Sequence, residues 1–197
     1  MGNHIIIDIG HARGTGARGN GLEEHERCVL LAEALETALL KRGFGVTVVD
    51  FPDLSNSADL TAAVAAANAQ GCDFGISLHM DSASRITGYR RVTCEDGETR
   101  ETAIYEPNPV PHGAHCCYYS TTGEAMGRKI ASRLCALLPG RAEPVVRRTD
   151  LYVLKQTVAP WVLCECGFIT NPEDAAMEPQ RVAEAIAEGV ADYFAQA

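Results

Sequence analysis

No stretch of this 197-residue chain approaches the ~20 consecutive apolar residues that span a bilayer. Met1-Gly2-Asn3 runs directly into the strand-like His4-Ile5-Ile6-Ile7, without the apolar core of a secretion signal. Neither membrane insertion nor a signal peptide is therefore expected in the chain. Positive charge is also scarce: 17 Lys and Arg stand against 26 Asp and Glu, a formal net charge of -9. The clustered cations whose counterion release drives nucleic-acid binding are missing, so nucleic acid is not an expected partner. The eight cysteines include no Cys-x2-Cys pair, which argues against a cysteine-held zinc knuckle. Cys164 and Cys166 alternate about Glu165, and Cys116 and Cys117 are adjacent, so neither pair has convenient bridging geometry. Reduced, buried thiols are the expectation. Internal repeats and low-complexity segments are absent too.

What is present has the balance of a globular domain, 46% apolar and 22% charged, and the length suits one core rather than two. His4 to Ile9 is a short Ile-rich run closed by Gly10, the pattern of a buried strand. A glycine-rich loop over 11–21 precedes a helix from Glu23 to Arg42, with Cys28, Leu31, Leu35, Ala38 and Leu39 near helical spacing and Gly43 as its stop. Val46 to Val49 reads as a strand, Ser57 to Gln70 as an Ala-rich helix capped by Ser57, and Asp73 to His79 as a third strand. Cys116 to Tyr119 and Trp161 to Cys166 read as strands; Gly123 to Leu138 and Arg181 to Phe194 read as helices, with another helix start at Asn171-Pro172. This alternation predicts an α/β fold: a mostly parallel twisted sheet flanked by helices on both faces, in a single domain spanning residues 1–197. Ile86 to Gly113 breaks the rhythm. Its hairpin-like turn at Cys94-Glu95-Asp96-Gly97-Glu98 and its Pro-rich tail predict an inserted surface element beside the cleft.

In such a sheet, ligands collect beyond the carboxyl ends of the strands. Four polar residues stand there: His11 after the first strand, Glu24 at the start of the first helix, His79 closing the third strand, and Glu165 inside Val162-Leu163-Cys164-Glu165-Cys166. Two imidazoles and a carboxylate are a common ligand set for catalytic zinc, with a further carboxylate as general base. Taken singly, His11 and His79 read equally as hydrogen-bonded core histidines, and Glu24 as a charge complementing the helix dipole. Glu165 is different, because an ionised carboxylate in an apolar strand is costly unless it meets a metal, a cation or a proton.

Ile6-Ile7-Asp8-Ile9-Gly10-His11, Asn20-Gly21-Leu22-Glu23-Glu24, Ile76-Ser77-Leu78-His79 and Leu163-Cys164-Glu165-Cys166-Gly167-Phe168-Ile169-Thr170-Asn171 occur in that order. Together they resemble the zinc-dependent N-acetylmuramoyl-L-alanine amidases, over nearly the whole chain, with Leu151-Tyr152-Val153-Leu154 and Pro172-Glu173-Asp174 adding to the likeness. The resemblance implies one zinc ion held by His11, Glu24 and His79, with Glu165 as catalytic carboxylate; Glu23 is the near competitor of Glu24. It further implies hydrolysis of the amide joining the lactyl group of N-acetylmuramic acid to L-alanine, in peptidoglycan or muropeptides. The site of action would be the cell wall, reached by secretion or phage release, or the cytoplasm. Ile9, Ala12 and Asp81 depart from residues common in that family at those positions.

Two other readings compete. Gly14-Thr15-Gly16-Ala17-Arg18-Gly19 is a literal Gly-x-Gly-x-x-Gly, and with Asp50 it would suit an NAD(P)-dependent oxidoreductase. Against that, His11-Ala12-Arg13 separate it from the strand, and Glu23 and Glu24 sit where a pyrophosphate needs positive potential. The other is a non-catalytic wall-binding module. His25, His112 and His115 are expected to be exposed, and Arg90, Arg91, Arg147 and Arg148 to lie on a solvated face unless they meet peptide carboxylates.

Overall fold

The structure is a computed structural model that describes residues 2–195. Strand β1 (His4–Ile9) leads through β2 (Arg18–Gly19) and β3 (Leu22–Glu23), a small two-stranded pair, into α1 (Glu24–Lys41). There follow β4 (Gly45–Val49), α2 (Asn56–Gln70), β5 (Phe74–Asp81), β6 (Ser84–Thr93), β7 (Thr99–Pro107), β8 (His115–Tyr118) and α3 (Thr121–Leu137). The chain closes with β9 (Val145–Arg147), α4 (Tyr152–Gln156), β10 (Trp161–Phe168), α5 (Pro172–Ala175) and α6 (Pro179–Phe194).

Six strands make the main sheet, in the order β4-β1-β5-β10-β8-β9. The first four run parallel; β8 is antiparallel to β10, and β9 is parallel to β8, so the last two point the opposite way. The expected mostly parallel α/β sheet is therefore present. Because side chains alternate along a strand, Ile5, Ile7 and Ile9 pack with α1, α3 and α6 on one face, whereas Ile6 joins Val64, Val153 and Leu154 of α2 and α4 on the other. Helices on both faces force the central strands to be apolar throughout.

One polar chain interrupts this core. Trp161 Nε1 donates to Ser77 Oγ at 2.8 Å, and Ser77 Oγ donates to Asp8 Oδ2 at 2.6 Å, linking β10, β5 and β1 in one layer. Burial pushes the Asp8 carboxyl up to about 6, against the lowering effects of Ser77 and His79. Gly75 lies beneath the Trp161 indole, where a Cβ would fall 2.0 Å from the ring.

Several boundaries differ from the sequence reading. The cap of α2 is Ser55, which accepts from Ala58 N at 3.4 Å, not Ser57, which lies inside the helix. Strand β9 and helix α4, three and five residues long, are too short for periodicity to reveal. Strand β8 starts one residue earlier, at His115. The excursion is a hairpin of β6 and β7, begun two residues before Ile86, closed by Cys94 N to Glu98 O at 2.8 Å and by Gly97 at φ 80°. The return segment is tied back by Asn108 N to Ala83 O and by Gly113 N to Asp174 Oδ2, 2.8 and 2.7 Å. Among the described residues no helix is long and apolar enough to cross a membrane.

Gly75→Ala is expected to destabilise the protein by about 1–3 kcal/mol, because the indole must leave both its rotamer and its bond to Ser77. A fall in Tm with loss of near-ultraviolet Trp161 signal checks it; an unchanged Tm contradicts it. The hairpin, exposed along nearly all of both strands, contributes little to the core. Replacing residues 85–106 by a short Gly-Ser link is expected to shift Tm by less than about 3 °C, equivalent to roughly 1 kcal/mol for a domain of this size.

Candidate metal and hydrolytic site

The carboxyl ends of β1 and β5 bring His11 and His79 together, and the first turn of α1 supplies Glu24. His11 follows Gly10 with φ 66°, a left-handed conformation that side chains rarely adopt and that a surrounding structure must hold. His11 Nε2 lies 3.3 Å from Glu24 Oε2, and His79 Nδ1 lies 3.2 Å from Glu24 Oε1. The imidazoles stand edge to face with centroids 4.9 Å apart. One ligand atom from each of the three residues lies within 4.8 Å of the other two. The three residues named from the sequence thus converge at one point, and Glu165 lines the same cleft.

Close approach depends on two glycines. A Cβ on Gly10 would fall 2.5 Å from the His79 ring, and one on Gly16 would fall 2.8 Å from Glu24 Oε2 and 2.9 Å from the His11 ring. The Gly-rich loop is therefore a wrapper for the His/Glu/His cluster. It donates Ala17 N to Glu24 Oε2 at 2.7 Å and Gly14 N to Glu23 Oε1 at 3.2 Å. Loop amides occupied by carboxylates have nothing left for a pyrophosphate, which removes the dinucleotide reading. Glu23 turns to the loop, and Glu24 to the imidazoles.

Partners outside the trio hold two of its members in place. His11 Nδ1 donates to Asn56 Oδ1 at 3.0 Å, which holds the ring with Nε2 directed at Glu24. Glu24 Oε1 accepts in addition from Met80 N at 3.0 Å. Burial pushes the Glu24 carboxyl up, but the hydrogen bonds and charges of His11 and His79 outweigh it and hold the group well below the usual carboxylate range. Conversely, the Glu24 hydrogen bond raises His11 against the effect of burial; His79 is raised by Glu24 and Glu165 although burial opposes it.

Glu165 sits in β10 between His79 of β5 and His115 of β8, its direct neighbours in the two registers. Its Oε2 is buried and, among the described residues, has no hydrogen-bond partner. Burial lifts its carboxyl to about 7, the Asp81 and Glu24 charges adding to the rise and His79 and His11 opposing it. That value marks a group able to exchange a proton near neutrality.

The histidines outside the trio divide. His112 is exposed, but His25 and His115 are buried, contrary to expectation. His25 Nε2 pairs with Asp50 at 3.1 Å beneath α1, so Asp50 holds a histidine rather than a ribose. His115 lies beside Glu165, and burial together with the Arg141 and Arg148 charges holds its imidazole down to about 4. Asn56 escaped the sequence reading because no local pattern links it to a residue 45 positions earlier. The Asp81–Arg141 pair, 3.8 Å apart at the rim of the cleft, escaped it for the same reason.

Comparison with known proteins fits this geometry. The family described as N-acetylmuramoyl-L-alanine amidase matches residues 5–192. The amidase CwlM of Bacillus licheniformis is 29% identical over 98% of this chain and 68% of its own length. The amidase LytC of Bacillus subtilis is 30% identical over 98% of the chain but only 36% of its own. In fold, the catalytic domain of the CD27L endolysin superposes with TM-score 0.78 at 22% identity, covering 96% of this chain and 97% of that domain. The amidase Ami1 of Mycobacterium smegmatis gives 0.78 at 19% identity, covering 100% and 98%. A match that begins in β1 and ends in α6 takes in every strand and helix that carries the cluster, and the chain belongs to the N-acetylmuramoyl-L-alanine amidase family.

Proposed function

We propose that this chain hydrolyses the amide between the lactyl group of N-acetylmuramic acid and L-alanine, in peptidoglycan or its muropeptide fragments, with one zinc ion held by His11, Glu24 and His79. The observation that carries the reading is Glu165, whose buried Oε2 has no hydrogen-bond partner among the described residues and which lines the same cleft as a converged His/Glu/His set. The donor set suits zinc: two imidazole nitrogens and one carboxylate, with His11 backed by Asn56 and Glu24 by the amides of Ala17 and Met80, leave room for a further ligand. The glycine cradle at Gly10 and Gly16 supports the same fit.

When bound there, zinc supplies Lewis acidity toward the scissile carbonyl and the attacking water. Glu165 takes the proton of that water as it adds to the carbonyl carbon, then delivers it to the alanine nitrogen as the C–N bond breaks. Asn56 keeps His11 oriented through Nδ1, and the Met80 and Ala17 amides keep Glu24 ionised and fixed. The complete set of acid-base and ligand groups favours an enzyme over a wall-binding module.

His79→Ala is expected to remove most bound zinc and all measurable release of alanine amino groups from cell walls; undiminished zinc content in that variant contradicts the ligand assignment. Glu165→Gln is expected to fold, retain zinc and lose about 10²–10⁴-fold in turnover. Loss of zinc along with activity would make Glu165 a ligand, and near-normal hydrolysis would exclude it as the base. The pH dependence follows from the same group. Glu165 must be ionised to accept a proton, so kcat/KM is expected to fall on acidification. The metal charge favours ionisation, placing the midpoint of that limb below 7 in the loaded enzyme. The acid limb should be absent from the residual activity of Glu165→Gln.

A further inference from the structure

The metal trio has a back as well as a front. His11 and His79 line the cleft with Glu24 and Glu165, and the same two imidazoles line a smaller cavity of about 100 Å³ behind them. Its other polar walls are Asp8, near the end of β1, and Asn56 and Asp59, in the first turn of α2. The two rings are backed unequally. The nitrogens nearest Glu24 are His11 Nε2 and His79 Nδ1. On the far side, His11 Nδ1 donates to Asn56 Oδ1, whereas His79 Nε2 has no hydrogen bond among the described residues. A Cβ on Gly10 would fall 2.5 Å from His79 Cε1 and 2.6 Å from Nε2, so that edge of the ring lies against Gly10, itself a wall of the cavity. Across from it stand two buried acids. Asp8 is 5% exposed and accepts from Ser77 through Oδ2; Asp59 is 4% exposed, and its buried Oδ1 has no partner among the described residues.

A buried carboxylate oxygen left unpaired is costly, and water is the smallest donor that removes the cost. A cavity of about 100 Å³ takes about three waters at ~30 Å³ each, and this one offers them polar neighbours on opposite walls. A second metal ion is a poorer occupant, because apart from His11, Glu24 and His79 no three His, Cys, Asp or Glu ligand atoms converge among the described residues. We propose that the cavity is a hydration site built into the back of the metal centre, whose waters carry hydrogen bonds from His79 Nε2 to Asp8 and Asp59, and that Asp59 is thereby a positioning residue for His79. The inference rests on the zinc reading above and adds support for the ligand that has no direct partner behind it. A proton held on Nε2 fixes the rotation of the ring and leaves Nδ1 as the ligand atom; outer contacts of this kind contribute about 10- to 100-fold in metal affinity. The first turn of α2 then backs both imidazoles, His11 directly through Asn56 and His79 through water from Asp59.

The test measures the zinc Kd by chelator competition, and the Tm of the zinc-free protein, for wild type, Asp59→Leu and Asp59→Asn. Asp59→Leu removes the acceptor and is expected to weaken zinc binding roughly tenfold. Its zinc-free Tm is expected to hold or rise, because an apolar side chain replaces a buried acid without a partner. Asp59→Asn keeps an acceptor and is expected to stay within about threefold of the wild-type Kd. A merely structural role would instead lower zinc affinity and Tm together. Equal zinc affinity in wild type and Asp59→Leu, or a loss that follows Tm in both variants, overturns the positioning role. A high-resolution crystal structure of the zinc-loaded wild type is expected to show ordered water bonded to His79 Nε2 and to Asp59 Oδ1, and a dry cavity overturns the hydration site whatever the variants do. The amidase reading fails separately. Wild type that binds zinc tightly, loses affinity in Asp59→Leu and yet releases no alanine amino groups from cell walls sinks the activity and leaves the positioning role standing; wild type that binds no zinc sinks both.

Discussion

The carboxylate of Glu24 is the constraint to which the rest of the site answers. It is buried at the start of a helix, and its oxygens are shared among two imidazoles and the amides of Ala17 and Met80. A buried charge left unpaired costs several kcal/mol, so each of these partners must be in place for the fold to hold it. That requirement fixes the left-handed turn at His11, demands glycine at positions 10 and 16, and fits β5 staying paired with β1 as far as Leu78, just before His79. The helix N-terminus adds a favourable field for the negative charge.

Glu165 is the contrast. Glu24 has four polar contacts and stays ionised; Glu165 has a buried oxygen with none and titrates near neutrality. Two carboxylates lining one cleft are thus driven apart by surroundings alone, which is how a site obtains a fixed anion and a proton carrier from the same functional group. The sheet supplies the difference: α1 presents Glu24 to donors across the strand ends, while β10 holds Glu165 between His79 and His115 with its Oε2 unpaired among the described residues.

Much of this was legible in the sequence because it is local. The Ile-rich first strand, the Ala-rich second helix and the amphipathic last one announce themselves by period, and Glu165 by its incongruity among apolar residues. The ligand trio was legible by its position at element ends and by resemblance. What could not be read was reached through space. Asn56 meets His11 only because α2 starts beside β1, and His115 meets Glu165 only because β8 pairs with β10 antiparallel. Such a strand looks no different from a parallel one in sequence, so the buried state of His115 had no local sign. The same holds for Cys116 and Cys164, whose sulfurs are 3.9 Å apart across those strands although neither adjacent cysteine pair suggested it.

The strand order has a consequence for how the chain reaches this state. Strand β10, formed from residues 161–168, lies between β5 and β8 in the middle of the sheet. As the chain emerges from a ribosome, β4, β1 and β5 can pair, but β5 then presents an open, apolar edge until the last fifth of the sequence arrives to cover it. Exposed strand edges are templates for wrong pairing, and sheets that close by long-range contacts form slowly. The interval before β10 inserts is therefore the stage at which this protein is most exposed to aggregation. The same insertion brings Glu165 beside His79, so sheet closure and completion of the hydrolytic site are one event.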